Sequence, residues 1–210
     1  MNSDAEKIKL HREILQGREK PESFEAVSLA LSVRDNEDRD LCLLDTIQWL
    51  ITNENWQQAY GTAQLISASY EKSEALQAVA NYLASIGHLE KAFSIFDEAI
   101  SPSLMQHFAE WQQAEILHKT AKSLRLIKAS FKADEVWKKA IEIAQKGEES
   151  LNLQDSLDSS SVLAEIAENF AAEERFENAL KTAQEIKNIG KRERVLLQIS
   201  EYSERVKRVA

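Results

Sequence analysis

The 210-residue chain is 43% hydrophobic and 29% charged, which supplies enough apolar material for a core and argues against general disorder. Its five glycines and two prolines are too few for a fold built of strands and turns, so the composition favours helices. The net charge of −9 disfavours non-specific nucleic-acid binding, because such binding depends on neutralising phosphates.

The spacing of apolar residues predicts five helix pairs followed by one unpaired helix. In chain order the predicted pairs are 4–18 with 22–33, 38–53 with 56–68, 72–86 with 89–100, 105–128 with 132–147, and 159–173 with 176–188. The final helix, 191–207, is expected to close the end of the stack with a polar outer face. The first aromatic or leucine residue of each second helix serves as an anchor, namely Phe24, Trp56, Leu89, Phe131 and Phe176. We expect the aromatic anchors to fill the space beside each turn.

One pattern of large and small residues occurs twice. The third pair carries Leu76, Ala80 and Leu83 on its first helix and Ala92, Phe96 and Ala99 on its second. The fifth pair repeats this order with Leu163, Ala167, Phe170, Ala179, Ala183 and Ile186. Alanine at a crossing lets two helices approach closely, so these positions are predicted to form the core.

Two insertions lengthen the repeat. Residues 101–110 begin with Ser-Pro-Ser and are predicted to extend the first helix of the fourth pair, which carries Met105, Phe108 and Trp111. Residues 147–160 are acidic, rich in serine and aperiodic, and they are predicted to form a loop.

These repeated residues resemble the tetratricopeptide repeat, and the resemblance covers nearly the whole chain. It implies an all-α solenoid of about five antiparallel helix pairs with a C-terminal capping helix, forming a right-handed superhelix in one domain, 1–210. The closing proline of each repeat is missing, apart from a displaced Pro102. Two other helical stacks, the HEAT and armadillo types, have longer periods and are the alternatives.

The resemblance also implies that the first helices line a concave groove in which a peptide or partner protein binds. The residues expected to face this groove are Asp45, Gln48 and Thr52 in the second pair, Glu74, Gln77, Asn81 and Ser85 in the third, and Glu165, Glu168 and Ala172 in the fifth.

A basic stripe on the fourth pair is the sequence's leading candidate for a contact surface. It consists of His118, Lys122 and Arg125, flanked by Lys119 and Lys128. Cationic side chains at helical spacing suit an acidic peptide or another carboxylate-bearing group. The alternative is a solvated face that the acidic residues of 147–185 neutralise.

No catalytic motif stands out, so an enzyme, a cofactor and a metal site are not predicted. The four histidines lie apart, and neither HExxH, GxSxG nor a glycine-rich phosphate loop occurs. Cys42 is flanked by leucines and is predicted to be a small buried residue. No apolar run approaches the roughly 20 residues that span a bilayer, so a cytoplasmic protein is expected.

The predicted function is that of a protein-interaction scaffold or adaptor. Self-association through Met105, Phe108 and Trp111 is the alternative. A nucleic-acid binder using the basic blocks at 118–146 and 186–210 is a third hypothesis, which the overall charge disfavours.

Overall fold

The described part of the chain is all-helical and contains no strand, which confirms that the fold is all-α. A computed structural model describes residues 3–17, 23–150 and 152–209. The helices are α1 Asp4–Gln16, α2 Ser23–Leu31, α3 Asn36–Thr52, α4 Trp56–Ala63, α5 Ser69–Ser85, α6 Leu89–Ala99, α7 Pro102–Met105, α8 Glu110–Leu126, α9 Ser130–Gly147, α10 Leu153–Ala172, α11 Phe176–Gln184 and α12 Ile189–Val209.

The chain forms two compact units, Met1–His107 and Phe108–Ala210. In the first unit, α3 packs against α1, α2, α4 and α5, and α5 packs also against α4, α6 and α7. In the second unit, α10 packs against α8, α9, α11 and α12. Within each unit, a first helix therefore contacts both its own partner and the first helix of the next pair. The single solenoid domain and the right-handed superhelix stay predictions.

The small residues of the repeated pattern lie in the core, as predicted. Ala80 and Ala92 in the third pair and Ala167, Ala179 and Ala183 in the fifth are fully buried. The large residues of both patterns, including Leu76, Phe96 and Leu163, are buried beside them. Close packing of helix on helix accounts for the choice of alanine, since a larger side chain would separate the backbones.

Two of the anchors, Phe24 and Phe131, do not fill the space beside the turns, and the prediction is wrong for these two residues. Phe131 is 79% exposed and Phe24 is 77% exposed. The buried residues of α9 include Ala133, Val136 and Trp137, and a residue two positions before Ala133 lies on another face of the helix. Phe131 therefore faces solvent.

Four of the pairs turn through the same backbone motif. Each turn places one residue in the left-handed region, namely Glu54, Gly87, Lys128 and Glu174, with φ between 61° and 87°. The N–H of the residue after the left-handed one donates to a carbonyl of the last helical turn. These hydrogen bonds run from Asn55 to Leu50, His88 to Leu83, Ala129 to Leu124 and Arg175 to Phe170, all at 2.8–2.9 Å. This is the Schellman ending of a helix, and it sets a short connection between the two members of a pair.

Three carboxylates, of which Asp40 and Glu148 are buried and Asp4 is half-buried, accept hydrogen bonds from the links that precede α3, α5 and α12. The tethers run from Asp4 to the N–H of Arg34 at 3.1 Å, from Asp40 to the N–H of Ala68 at 2.8 Å, and from Glu148 to the N–H of Lys187 at 3.0 Å. Each acceptor satisfies backbone N–H donors that lie just before the next helix and have no partner within a helix.

Both predicted insertions differ from the structure. The predicted 105–128 helix is broken, because the N–H of Ala109 bonds to Gln112 Oε1 at 3.1 Å and starts a new helix at Glu110. The predicted loop over 147–160 is largely α10, which Asn152 caps through a 2.9 Å bond from the N–H of Gln154. Ser159 and Ser160 are buried there, so the serines pack against neighbouring helices instead of forming a loop.

Candidate functional site

A recess of about 390 Å³ lies between α1 and α3 in the first unit. We call it the α1–α3 recess. Its lining residues are Arg12, Leu15 and Gln16 from α1, and Asp45, Gln48, Trp49 and Thr52 from α3. The spacing is i, i+3, i+4 on α1 and i, i+3, i+4, i+7 on α3, so each helix gives one face to the recess. The opposite side of α3 enters the core through Leu43, Ile47 and Leu50.

A buried histidine aligns the two walls of the recess. Nε2 of His11 lies 2.8 Å from Oγ1 of Thr46, and that hydroxyl donates to the carbonyl of Cys42 at 2.9 Å. Since the hydroxyl proton is already used, His11 is the donor through Nε2–H. Burial lowers the pKa of His11, so the imidazole is neutral and joins α1 to α3 without a buried charge.

The chemistry of the α1–α3 recess is mixed. Trp49 and Leu15 supply apolar surface, and Gln16 and Gln48 supply amides that both donate and accept hydrogen bonds. Arg12 and Asp45 add opposite charges. Within the described residues, the side chains of Arg12, Gln16, Asp45 and Gln48 make no hydrogen bond or ion pair with one another or with other residues.

The structure brings together Asp45, Gln48 and Thr52, which the sequence predicts to face a groove. It adds Arg12, Gln16 and Trp49, which sequence reasoning missed. The signal for Arg12 and Gln16 is their spacing on one face of α1, which is meaningful only once α1 is known to pack against α3. Trp49 lies on the α3 face that Asp45 and Gln48 share. Asn81 on α5 is exposed as expected.

The prediction that Gln77 faces an open groove is wrong, because this residue is only 5% exposed. Helix α5 packs against α3, α4, α6 and α7, so more than one of its faces is covered. A residue between two core positions is therefore enclosed as well.

Two of the five residues of the predicted basic stripe are paired with acidic residues. Lys119 Nζ lies 3.0 Å from Glu115 Oε1, and Arg125 Nε lies 2.9 Å from Glu173 Oε2 on the turn after α10. Lys122 and Lys128 are exposed, and Lys128 holds the left-handed position of its turn. Glu173 lies within the acidic 147–185 segment, as the alternative interpretation of the stripe requires.

His118 is not a cationic member of the stripe, and this prediction is wrong. Its side chain is 2% exposed, and Nδ1 accepts a hydrogen bond from Trp137 Nε1 at 3.1 Å. Burial, and then the nearby Lys122 ammonium, lower the pKa of His118 to about 4. Packing of α9 on α8 covers His118, and its neutral imidazole joins the two helices.

The residues proposed for self-association are also largely enclosed. Met105 and Phe108 are buried, and Trp111 is half-buried. The predicted continuous helix would have exposed all three on one side, but the break before Glu110 turns them toward the core. They do not form an exposed contact surface.

No family model, curated protein or solved structure matches this chain. In the part of the chain that the structure describes, no cluster of three or more His, Cys, Asp or Glu side chains is arranged to hold a metal ion. Every described helix is too short or too polar to cross a lipid bilayer.

Proposed function

We propose that the protein is a non-enzymatic interaction module that binds an extended polypeptide segment in the α1–α3 recess. The observation that carries the proposal is the juxtaposition of two glutamine amides with the half-buried Trp49 on the facing sides of two first helices. An extended backbone exposes alternating donors and acceptors, which amide side chains satisfy in both senses.

Trp49 gives the recess its apolar anchor. Binding energy in protein interfaces concentrates in a few aromatic and arginine side chains set among polar neighbours. Arg12 and Asp45 flank Trp49 and favour a segment that carries both signs of charge. The His11–Thr46 bond holds the walls in place before binding, which reduces the entropy lost on association.

A peptide library displayed on phage and selected against the full chain tests this proposal. Selected peptides are then titrated by fluorescence anisotropy against the wild type and Trp49→Ala. We expect Trp49→Ala to weaken binding by about tenfold or more, because truncating a central aromatic residue removes most of the anchor contact.

The matched control is Trp56→Ala in the same unit. Trp56 lies on the second helix α4, where the Lys91 ammonium is 4.5 Å from its ring centroid, and it does not line the recess. Both variants are first checked for wild-type helicity. If no peptide is selected, or if Trp49→Ala and Trp56→Ala bind equally well, the proposal is wrong.

A preference for acidic segments is a separate proposal that rests on the exposed Lys122. Lys122→Glu tests it better than reversal of Arg125, since Arg125 is held in an ion pair whose loss would also affect stability. If Lys122→Glu binds an acidic selected peptide as tightly as the wild type does, the proposed preference for acidic segments is wrong. The proposal for the α1–α3 recess would not be affected by that result.

A further inference from the structure

A second cavity, of about 470 Å³, lies among α9, α10 and α11 in the second unit. We call it the α9–α11 groove. One wall is the face of α9 that carries Asp134, Lys138, Ile141, Glu142 and Gln145. The other wall consists of α11 and the residue after it, and it carries Glu177, Asn178, Lys181, Thr182 and Glu185. Phe170 and Arg175 also line the groove.

Arg175 shows which kind of side chain this groove accommodates. Its guanidinium lies 4.5 Å from the centroid of the Phe170 ring, and its Nη1 lies 2.7 Å from Asp134 Oδ1. The Phe170 ring in turn meets Trp137 edge to face, with centroids 4.9 Å apart. A cation stacked on an aromatic ring and paired with a carboxylate is thus already present at one end.

The two walls carry charges in the same order. On each wall an acidic, a basic and an acidic residue follow one another at four-residue steps. They are Asp134, Lys138 and Glu142 on α9, and Glu177 and Lys181 on α11 with Glu185 directly after it. Arg175 neutralises Asp134. The other five side chains make no ion pair within 4.0 Å among the described residues, which leaves three free carboxylates against two ammonium groups.

From this arrangement we infer that the α9–α11 groove is a docking surface for an amphipathic helix of a partner protein. The helix carries basic residues at both ends and an acidic residue in the middle, and it directs an apolar side chain toward the half-buried Ile141. The signs complement those of the walls, and the four-residue spacing equals the spacing of side chains along one helix face.

The length of the wall sets the length of the occupant. Asp134 to Gln145 spans twelve residues of helix, or about 16 Å from first to last, which corresponds to about three turns. An apolar floor inside a charged rim is the usual anatomy of a protein interface. This surface lies in the second unit, so it is independent of the function proposed for the α1–α3 recess.

Two synthetic helical peptides test the inference. One carries Arg at both ends, Glu in the middle and Leu on the inner face, and the other has the signs exchanged. Anisotropy titration of the full chain at low salt is expected to show about tenfold tighter binding of the first peptide. Equal affinity of the two peptides, or no binding of either, would overturn the inference.

Charge-reversal variants locate the site. Glu142→Lys with Glu185→Lys is expected to reverse the preference between the two peptides. Glu193→Lys with Glu201→Lys changes the net charge equally on exposed positions of α12 and is expected to leave the preference unchanged. If the α12 variant weakens binding as much as the groove variant, the attraction is non-specific and the inference fails.

Trp49→Ala separates this surface from the α1–α3 recess. It is expected to leave the affinity for the helical peptides unchanged, since Trp49 lies in the other unit. A third peptide with proline at its centre and the same charges cannot form a continuous helix. If it binds as tightly as the first, the occupant is not a helix.

Discussion

His11 and His118 are both buried, and burial lowers the pKa of both side chains. The hydrogen bonds of each ring determine which nitrogen carries the proton. His118 Nδ1 accepts from the Trp137 indole, which can only donate, so the ring proton must be on Nε2. Nε2 lies 3.8 Å from Glu165 Oε2. Protonation of Nδ1 would break the bond to Trp137 and place a charge in the core.

Acid should therefore destabilise the fold through His118. Its pKa is about 4 when folded and 6.5 ordinarily, so the unfolded chain binds the proton more readily. The stability that the neutral ring contributes is fully present above pH 6.5 and is lost as pH falls toward 4. The loss reaches about 3 kcal/mol at most, and burial of His11 adds to it in the same direction.

The measurement is urea unfolding of the wild type and His118→Gln between pH 4 and pH 7. Glutamine can still accept from the indole but does not titrate. We expect the variant to lose less stability than the wild type over this range. Parallel pH profiles would mean that the imidazole of His118 titrates normally in the folded protein.

The sequence places His118 on a helix but does not tell which side of α8 is covered. Spacing alone groups it with Lys122 and Arg125, whereas burial groups it with Trp137 on α9. The partner residue is 19 positions away, and only the packing of α8 on α9 brings the two together.

At the scale of the elements, the Schellman turns end the first helices of four pairs, but only Gly87 is suited to its left-handed backbone. A side chain with a Cβ is disfavoured at such positions, by about 1–2 kcal/mol. Glu54, Lys128 and Glu174 therefore carry strain that glycine would relieve.

Lys128→Gly and Glu174→Gly are each expected to stabilise the fold by about 1 kcal/mol, partly offset by the greater freedom of glycine in the unfolded chain. Gly87→Ala should lower stability by a similar amount, although a Cβ there would meet no atom within 4 Å. Thermal or urea melts measure all three. An unchanged midpoint in every variant would contradict the turn geometry.

Helix α9 ends where three helices converge. A Cβ on Gly147 would collide with the Ser159 hydroxyl of α10 and come within 3.1 Å of Glu110 Cβ on α8. Gly147→Ala is therefore expected to cost about 1–3 kcal/mol through overpacking. Adding Ser159→Ala removes the hydroxyl and should restore part of that loss.

Gly61 on α4 is the matched control, because a Cβ there meets nothing within 4 Å. Gly61→Ala should stabilise the fold by about 0.5–1 kcal/mol, since alanine is the better helix former. If Gly147→Ala is as benign as Gly61→Ala in urea unfolding, the close approach of α9 and α10 is misplaced.

At the scale of the whole molecule, the sequence predicts the helix pairs better than their connections. Periodicity locates Leu76 and Ala80 in the core because local spacing determines which face of a helix is apolar. It does not locate α10, whose first turn is polar and whose buried Ser159 and Ser160 look like loop residues in isolation. Neither candidate surface follows from one helix alone, since each requires a neighbour from another pair.

The most direct test of the proposed function observes the four tryptophan indole N–H signals in an NMR spectrum while a selected peptide is added. Single Trp→Phe substitutions assign the signals. We predict that the Trp49 signal shifts as the peptide saturates, while the Trp137 signal, buried against His118, stays in place. A peptide that binds while the Trp49 signal does not move would contradict binding in the α1–α3 recess.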